Sequence, residues 1–286
     1  MKQRKRLPHW MKMQMPGGKL YMTVKAVVEQ NRLHTICTSG NCPNIGECWA
    51  NGTATFMILG EICTRACKFC AVKTGKPFDP DCDEPRRLLE SIRKMKIRHA
   101  VITSVDRDDL EDKGASHWAD TISLLKKEEP ELSIETLIPD MDGKSDLIQQ
   151  IIDAAPEVIS HNLETVRRLT PQIRTRAKYE TSLQVIKQVS ASGLVSKSGI
   201  MLGLGEREDE VLETMNDLLE VGCEVLTLGQ YLQPSLEHMP VVEYILPEKF
   251  EEYRVLALEK GFIHVESSPL VRSSYHAEKH VGKERR

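Results

Sequence analysis

Short apolar runs alternate with amphipathic stretches along most of this chain. The runs at 55–59, 99–103, 132–138, 158–161, 199–202 and 225–228 each read as a strand, and several are apolar enough to be buried on both faces. Helical spacing fills the intervals. Leu88, Leu89, Ile92 and Met95 share one face, as do Leu147, Ile148, Ile151 and Ile152. Tyr179, Leu183, Ile186 and Val189 form a third stripe, followed by Gly193. Val211, Leu212, Met215, Leu218 and Leu219 form the clearest one, over 208–221, with Gly222 as a plausible terminator.

Six strands alternating with helices predict a parallel α/β architecture with right-handed connections. The pattern alone does not separate an open doubly wound sheet from a barrel. A complete eight-fold barrel takes about 250 residues, so six units point to a partial (β/α)6 TIM-like barrel. The predicted organisation is a core over 55–246 with N- and C-terminal extensions, 1–54 and 247–286. The first extension shows little periodicity apart from a short helix over 21–28. The second opens with a helix over 247–260 ended by Gly261, and continues through a last strand or extended piece at 262–265. It then runs through Arg272-Ser273-Ser274-Tyr275 to a charged end at 278–286.

Composition narrows the class. The 286 residues are 40% hydrophobic and 28% charged, with a net charge of −3, so no global field argues for nucleic acid. The start is locally basic: Lys2, Arg4, Lys5, Arg6, Lys12, Lys19 and Lys25 precede the first acidic residue. Polar and basic residues interrupt 11–15, so no signal-peptide core forms there. No run approaches the ~18 apolar residues of a membrane helix. These features predict a cytoplasmic protein with no membrane partner, in which clustered cysteines bind metal rather than form disulfides.

Six of the eight cysteines fall between Cys37 and Cys70. Cys37, Cys42 and Cys48 are spaced C-x4-C-x5-C, and Cys63, Cys67 and Cys70 are spaced C-x3-C-x2-C. Thiolates are soft ligands suited to iron–sulfur clusters and to zinc. A structural zinc site usually has four protein ligands, and no histidine lies between Cys63 and Cys70 to complete one. Three thiolates would instead leave a cubic cluster one iron short of full protein ligation. The second trio also begins four residues after Leu59, at the strand end where barrel folds collect functional groups. Cys82 and Cys223 stand alone, and each reads as a buried thiol or a tolerated surface one. A second cluster on the first trio would serve as electron relay, substrate anchor or sulfur source, and physics does not choose among these.

The C-x3-C-x2-C loop resembles the cluster loop of the radical S-adenosylmethionine superfamily, whose usual scaffold is a partial (β/α)6 barrel. The stretches 33–49, 53–60 and 63–72 look like the lipoyl synthase family within it. Further matches are 103–110, 161–165, 197–206 and 271–276, so the resemblance spans roughly 20–277 in order. It implies two [4Fe–4S] clusters. The cluster on Cys63, Cys67 and Cys70 leaves one iron for the amino and carboxylate groups of S-adenosylmethionine, and one electron then releases a 5′-deoxyadenosyl radical. The auxiliary cluster is held by Cys37, Cys42, Cys48 and the second serine of the pair, Ser274. Serine oxygen is a hard ligand, so its iron would be released more easily when the cluster is consumed.

The implied reaction inserts two sulfur atoms, at C6 and C8, into an octanoyl chain on a carrier-protein lysine. Each insertion uses one S-adenosylmethionine, and the sulfur comes from the auxiliary cluster. Implied partners are an octanoylated lipoyl carrier domain or a glycine-cleavage carrier protein, an electron donor such as flavodoxin or ferredoxin, and an iron–sulfur cluster carrier. Electrostatic steering would let the basic start dock an acidic carrier. Phe69 is the aromatic expected near the adenine. Arg174 is a candidate partner for the cofactor carboxylate through a bidentate guanidinium pair. Glu135, Asn162 and Glu206 are polar residues at expected strand ends, and Asp106, Arg107 and Asp108 are expected at the mouth. The nearest alternative is another sulfur-inserting enzyme of the biotin synthase or methylthiotransferase type. A zinc or nucleic-acid module and a non-catalytic cluster scaffold are the alternatives from other classes.

Overall fold

A computed structural model describes residues 6–277 except Gln14, Gly52 and His276. Lys2, Arg4 and Lys5 of the basic start, and the charged end at 278–286, lie outside the described residues. The chain divides into two compact units. The first comprises Met13–Arg65 and Ala71–Glu157. The second comprises the residues up to Lys12, Ala66–Cys70, and those from Val158 on.

In the first unit, helix α1 (Lys19–Gln30) buries Val24, Val27 and Val28 and leads through strand β1 (His34–Thr35) to two short helices, α2 (Ile36–Ser39) and α3 (Ile45–Ala50). Thr35 caps α2, its hydroxyl accepting from the Thr38 amide at 3.3 Å. Strand β2 (Thr55–Ile58) follows, then the two-residue parallel pair β3 (Ile62–Cys63) and β4 (Lys73–Thr74). Helix α4 (Glu84–Met95), β5 (His99–Ser104), α5 (Ala115–Glu128), β6 (Ser133–Leu137) and α6 (Ser145–Asp153) complete it. Its strand order is β1-β2-β5-β6, with β1 antiparallel to β2 and the remaining pairs parallel. The expected stripe on α4 faces inward at Leu88, Leu89 and Ile92, and Leu147, Ile148, Ile151 and Ile152 do the same on α6. Between them sits α5, a helix the periodicity reading did not place. Its Trp118, Ile122 and Leu125 are fully buried.

The second unit contains β7 (Val158–Ser160), α7 (Thr170–Ile173), α8 (Tyr179–Ala191), β8 (Val195–Leu202) and α9 (Glu208–Glu220). It ends with β9 (Val225–Gln230), α10 (Pro247–Lys260) and β10 (His264–Ser267). Its strands run β7-β8-β9-β10, all parallel. One apolar core joins them, with Ile186, Leu202, Val211, Met215, Leu218, Leu226, Leu228 and Phe250 at its centre. Each such side chain contributes about 1.5–3 kcal/mol on leaving water. Both units therefore carry the expected mostly parallel α/β architecture.

One contact bears on function. The segment after β10 runs so close to β9 that a Cβ at Gly229 would stand 2.2 Å from the Val271 carbonyl oxygen. Only glycine permits that approach, and it seats the Arg-Ser-Ser-Tyr segment in the second unit.

Candidate metal centres

The first trio is built by the β1–α2–α3 segment of the first unit. Cys37 sits in α2, Cys42 in the turn that follows, and Cys48 in α3. The Cys42 amide donates to the Cys37 carbonyl at 3.0 Å, and the Cys48 amide donates to that of Asn44 at 2.9 Å. The amide and hydroxyl of Thr53 both donate to the Cys48 carbonyl at 2.9 Å, fixing the exit of the segment. Trp49 is buried and packs on Tyr21 with ring centroids 5.2 Å apart.

Electrostatics couple Cys37 and Cys48 to the cysteines beside them. Burial pushes the Cys37 thiol up to about 11, and neighbouring Cys42 adds to this, while hydrogen bonds from Thr55 and Trp49 oppose it. Cys48 is pushed up to about 12, first by burial and then by Cys37, Cys42 and Glu47. Ionising Cys37 or Cys48 is thus opposed by burial and by neighbouring sulfur, a cost that a bound cation would relieve in this soft donor set.

The second trio lies on the loop between β3 and β4. Its leading end belongs to the first unit. Cys63 is buried, and its Sγ accepts the backbone amides of Arg65 and Asp106, each at 3.4 Å. Thr64 donates to the Asp106 carbonyl through its amide (3.1 Å) and its hydroxyl (2.9 Å), and the same hydroxyl accepts the Asp108 amide at 3.0 Å. Buried Arg65 makes a bidentate pair with Asp108 (2.7 and 2.9 Å) and reaches Asp140 at 2.8 Å and Asp142 at 3.3 Å. Lys113 joins Asp142 at 2.7 Å and Asp108 at 3.3 Å. Burial works against the Arg65 charge, but the hydrogen bonds to Asp108 and Asp140 outweigh it and hold its proton more tightly. Burial raises the Asp106 carboxyl, with Arg65 opposing.

The trailing end belongs to the second unit. The Lys68 amide donates to the Ile173 carbonyl at 2.9 Å, and the Lys68 carbonyl accepts the Met239 amide at 3.0 Å. His238 Nε2 meets the Cys70 carbonyl at 2.9 Å, and its Nδ1 lies 2.7 Å from the Ser235 hydroxyl. Phe69 packs against the core of the second unit.

The remaining expected residues are placed as follows. Glu135 is fully buried on β6. Arg174 is buried, donating to the Ser182 hydroxyl at 2.8 Å and to the Leu163 carbonyl at 3.3 Å. Glu206 accepts the amides of Gly203 and Leu204, closing the loop after β8, and burial raises its carboxyl despite those amides. Asn162 donates to Glu164 at 3.2 Å and to the Ser273 hydroxyl at 2.6 Å. Ser273 is thereby engaged within the protein, whereas the half-buried Ser274 hydroxyl has no hydrogen-bond partner among the described residues. Arg107 donates to Asp109 and to the Phe78 carbonyl, both at 2.9 Å.

Of the isolated cysteines, Cys223 is buried and its thiol is pushed up to about 12 by desolvation. Cys82 is exposed between Asp81 and Asp83, and Asp81 already pairs with Arg87 at 2.9 Å. Two supports of the cysteine loop escaped the sequence reading: the acidic collar around Arg65 and the His238 clasp on Cys70. A charged residue inside a cysteine loop, with paired aspartates downstream, was the available signal for the first.

Comparison with known proteins accords with this geometry. Residues 57–218 match the radical SAM superfamily, and residues 1–42 match the N-terminal domain of lipoyl synthase of that family. The chain is 59% identical to the lipoyl synthase of Parabacteroides distasonis over 281 residues, covering 98% of this chain and 100% of the relative. It is 55% identical to the mitochondrial lipoyl synthase of Nematostella vectensis over 275 residues, covering 96% and 94%. Among solved structures it resembles methylornithine synthase, with TM-score 0.58, 12% identity, and coverage of 85% of this chain and 77% of that one. It also resembles the FeFe-hydrogenase maturase of Carboxydothermus hydrogenoformans, with TM-score 0.59, 13% identity, and coverage of 93% and 62%. At such identities these two structures speak for the fold alone, the partial-barrel α/β fold of radical SAM enzymes.

Proposed function

The chain belongs to the lipoyl synthase family of the radical S-adenosylmethionine superfamily, and we propose from that premise how its two trios divide the work. Cys63, Cys67 and Cys70 hold a [4Fe–4S] cluster with one iron left for S-adenosylmethionine. Cys37, Cys42, Cys48 and Ser274 hold the auxiliary cluster. When bound, the one supplies the electron that cleaves S-adenosylmethionine and the other supplies sulfur. The observation that carries this reading is the donor chemistry of the first trio, three cysteines on one short segment, of which Cys37 and Cys48 are pushed up by burial and by neighbouring cysteines. Such a set fits a site where iron replaces protons.

Ser274, rather than Ser273, suits the fourth ligand position because Asn162 already occupies the Ser273 hydroxyl. Asn162 thus holds the residue beside the proposed ligand. Glu206 acts through the loop it closes. Glu135 and Arg174 are the polar contacts proposed for S-adenosylmethionine, and Phe69 orders the loop by packing into the core.

The substrate is an N6-octanoyl-lysine presented on a lipoyl carrier domain or a glycine-cleavage carrier protein. Exposed Lys12, Lys19 and Lys25 suit an acidic carrier. A flavodoxin or ferredoxin would supply electrons, and an iron–sulfur cluster carrier would rebuild the auxiliary site. Among the described residues no helix is long and apolar enough to cross a membrane.

The test is an anaerobic reaction of the reconstituted protein with an octanoyl-lysine peptide, S-adenosylmethionine and reductant, followed by product mass. Gain of two sulfurs with loss of two hydrogens, in the oxidised ring form, is the expected outcome. Cleavage of S-adenosylmethionine with no sulfur gained after full reconstitution would overturn the reading. A methylthiolated product would favour the alternative sulfur-inserting class.

A further inference from the structure

We infer that Arg65 and Thr64 are positioning residues for the S-adenosylmethionine cluster, fixing two amide N–H groups on the Cys63 sulfur and so setting the cluster's reduction potential. The inference rests on Cys63 being a cluster ligand, as proposed above.

The geometry is specific to this sulfur. Its two amide donors come from different parts of the chain, Arg65 on the cysteine loop and Asp106 beyond the end of β5. Their joint aim at one Sγ requires the two segments to be locked together. Thr64 does this at close range: its amide and hydroxyl both hold the Asp106 carbonyl, and its hydroxyl also receives the Asp108 amide. The Arg65 side chain provides the second lock, with a planar fork on Asp108 and a third contact on Asp140. Every one of these contacts lies within the first unit.

A point charge would not serve equally. The pair with Asp108 is bidentate, and the same guanidinium also reaches Asp140 and Asp142, which a lysine ammonium cannot reproduce with one geometry. The collar holds Asp106, Asp108, Asp140 and Asp142 against Arg65 and Lys113, so it carries more negative than positive charge close to a cluster ligand. Negative surroundings make a cluster harder to reduce, and N–H groups donated to its sulfurs make it easier. The two amides on Cys63 therefore offset the acids that hold them in place.

The test separates placement from charge. Arg65→Lys keeps the charge and loses the fork. Thr64→Val keeps the shape and loses the hydroxyl, and Thr64→Ser restores the hydroxyl. Each protein is reconstituted in full length alongside wild type, iron and sulfide are counted, and the midpoint of the S-adenosylmethionine cluster is read by redox titration with electron paramagnetic resonance. Arg65→Lys and Thr64→Val are expected to load the cluster but to show about a tenfold lower reduced-to-oxidised ratio at fixed potential, which is a shift of about 59 mV to the negative side for one electron. Thr64→Ser is expected to match wild type. Failure of Thr64→Val to load while Thr64→Ser loads, with equal thermal midpoints for the apo proteins, also supports placement. A wild-type midpoint in fully loaded Thr64→Val overturns the inference, whatever becomes of Arg65→Lys. Failure of wild type itself to bind a cluster would instead strike the proposed function and take this inference with it.

Discussion

The two cysteine trios are held by opposite means. Cys37 and Cys48 sit on two short helices with Cys42 in the turn between them, and burial and neighbouring cysteines raise the proton affinity of Cys37 and Cys48. The second trio sits on a loop fastened through hydrogen bonds at both ends, by Thr64 and Arg65 at the front and by His238 and Met239 at the back. The contrast suits the proposed roles. A cluster that cycles an electron is served by a fixed set of donors around its ligands, which keeps its potential constant from turnover to turnover. A cluster that gives up sulfur needs soft ligands close together, ready to be reloaded.

The sharpest way to break this comparison is to remove ligands from one trio at a time. Replacing Cys63, Cys67 or Cys70 by alanine is expected to abolish both S-adenosylmethionine cleavage and sulfur insertion. Replacing Cys37, Cys42 or Cys48 is expected to abolish insertion while cleavage to 5′-deoxyadenosine persists. Chromatography of the nucleoside product and mass analysis of the peptide read the two activities separately. Full insertion in any variant of the first trio would show that the trios are not unequal in the way proposed.

The serine pair offers a finer cut with a smaller expected effect. Ser274→Ala should lower sulfur insertion by at least about tenfold, the scale of removing one interaction of about 1.4 kcal/mol from a reacting centre. Ser273→Ala removes only the hydrogen bond with Asn162, worth about 0.5–1.5 kcal/mol, and should keep most of the activity with a modest fall in thermal stability. Reversal of that order would move the fourth ligand to Ser273.

Much of the scaffold behind this comparison was legible before any coordinates. The six expected strands are β2, β5, β6, β7, β8 and β9, because continuous apolar runs between helical stripes have few other solutions. Helix α10 falls on the expected 247–260, bounded by Pro247 and Gly261. Other elements were hidden for identifiable reasons. The front half of β8 contains Ser196, Lys197 and Ser198, polar residues that are fully buried and so break the apolar signature of a strand. Pairs as short as β1, β3 and β4 carry no periodicity to read. Helix α5 did show apolar positions at helical spacing in Trp118, Ile122 and Leu125, but polar residues dilute the stripe.

The cysteine trios themselves were plain from spacing, since cysteines close in sequence announce themselves. The supports were not, because they join distant residues: Arg65 to Asp140 over 75 positions, and His238 to Cys70 over 168. No local pattern encodes such a pairing, and it appears only when the fold brings the segments together.

The smallest expected effect concerns the metal-free protein and tests whether burial and mutual repulsion truly distinguish the first trio. Cys37 and Cys48 are shifted from an ordinary 9.0 to about 11 and about 12. A thiol whose folded value is raised contributes nothing against unfolding below 9, where both states keep the proton. Above 9 the unfolded chain ionises first, so the folded state loses stability as pH climbs toward 11 and 12. Thermal midpoints of the apo protein should therefore fall between pH 9 and 11, and Cys37→Ser should flatten part of that fall. Buried Cys223, also raised to about 12 but by desolvation without neighbouring cysteines, supplies the control. Thiolate absorbance should show Cys37 titrating earlier once Cys42→Ser removes its charged neighbour, whereas no such coupling is open to Cys223. An unchanged Cys37 titration in that variant would mean the three thiols do not act as one site, and the contrast between the trios would then rest on their hydrogen bonding alone.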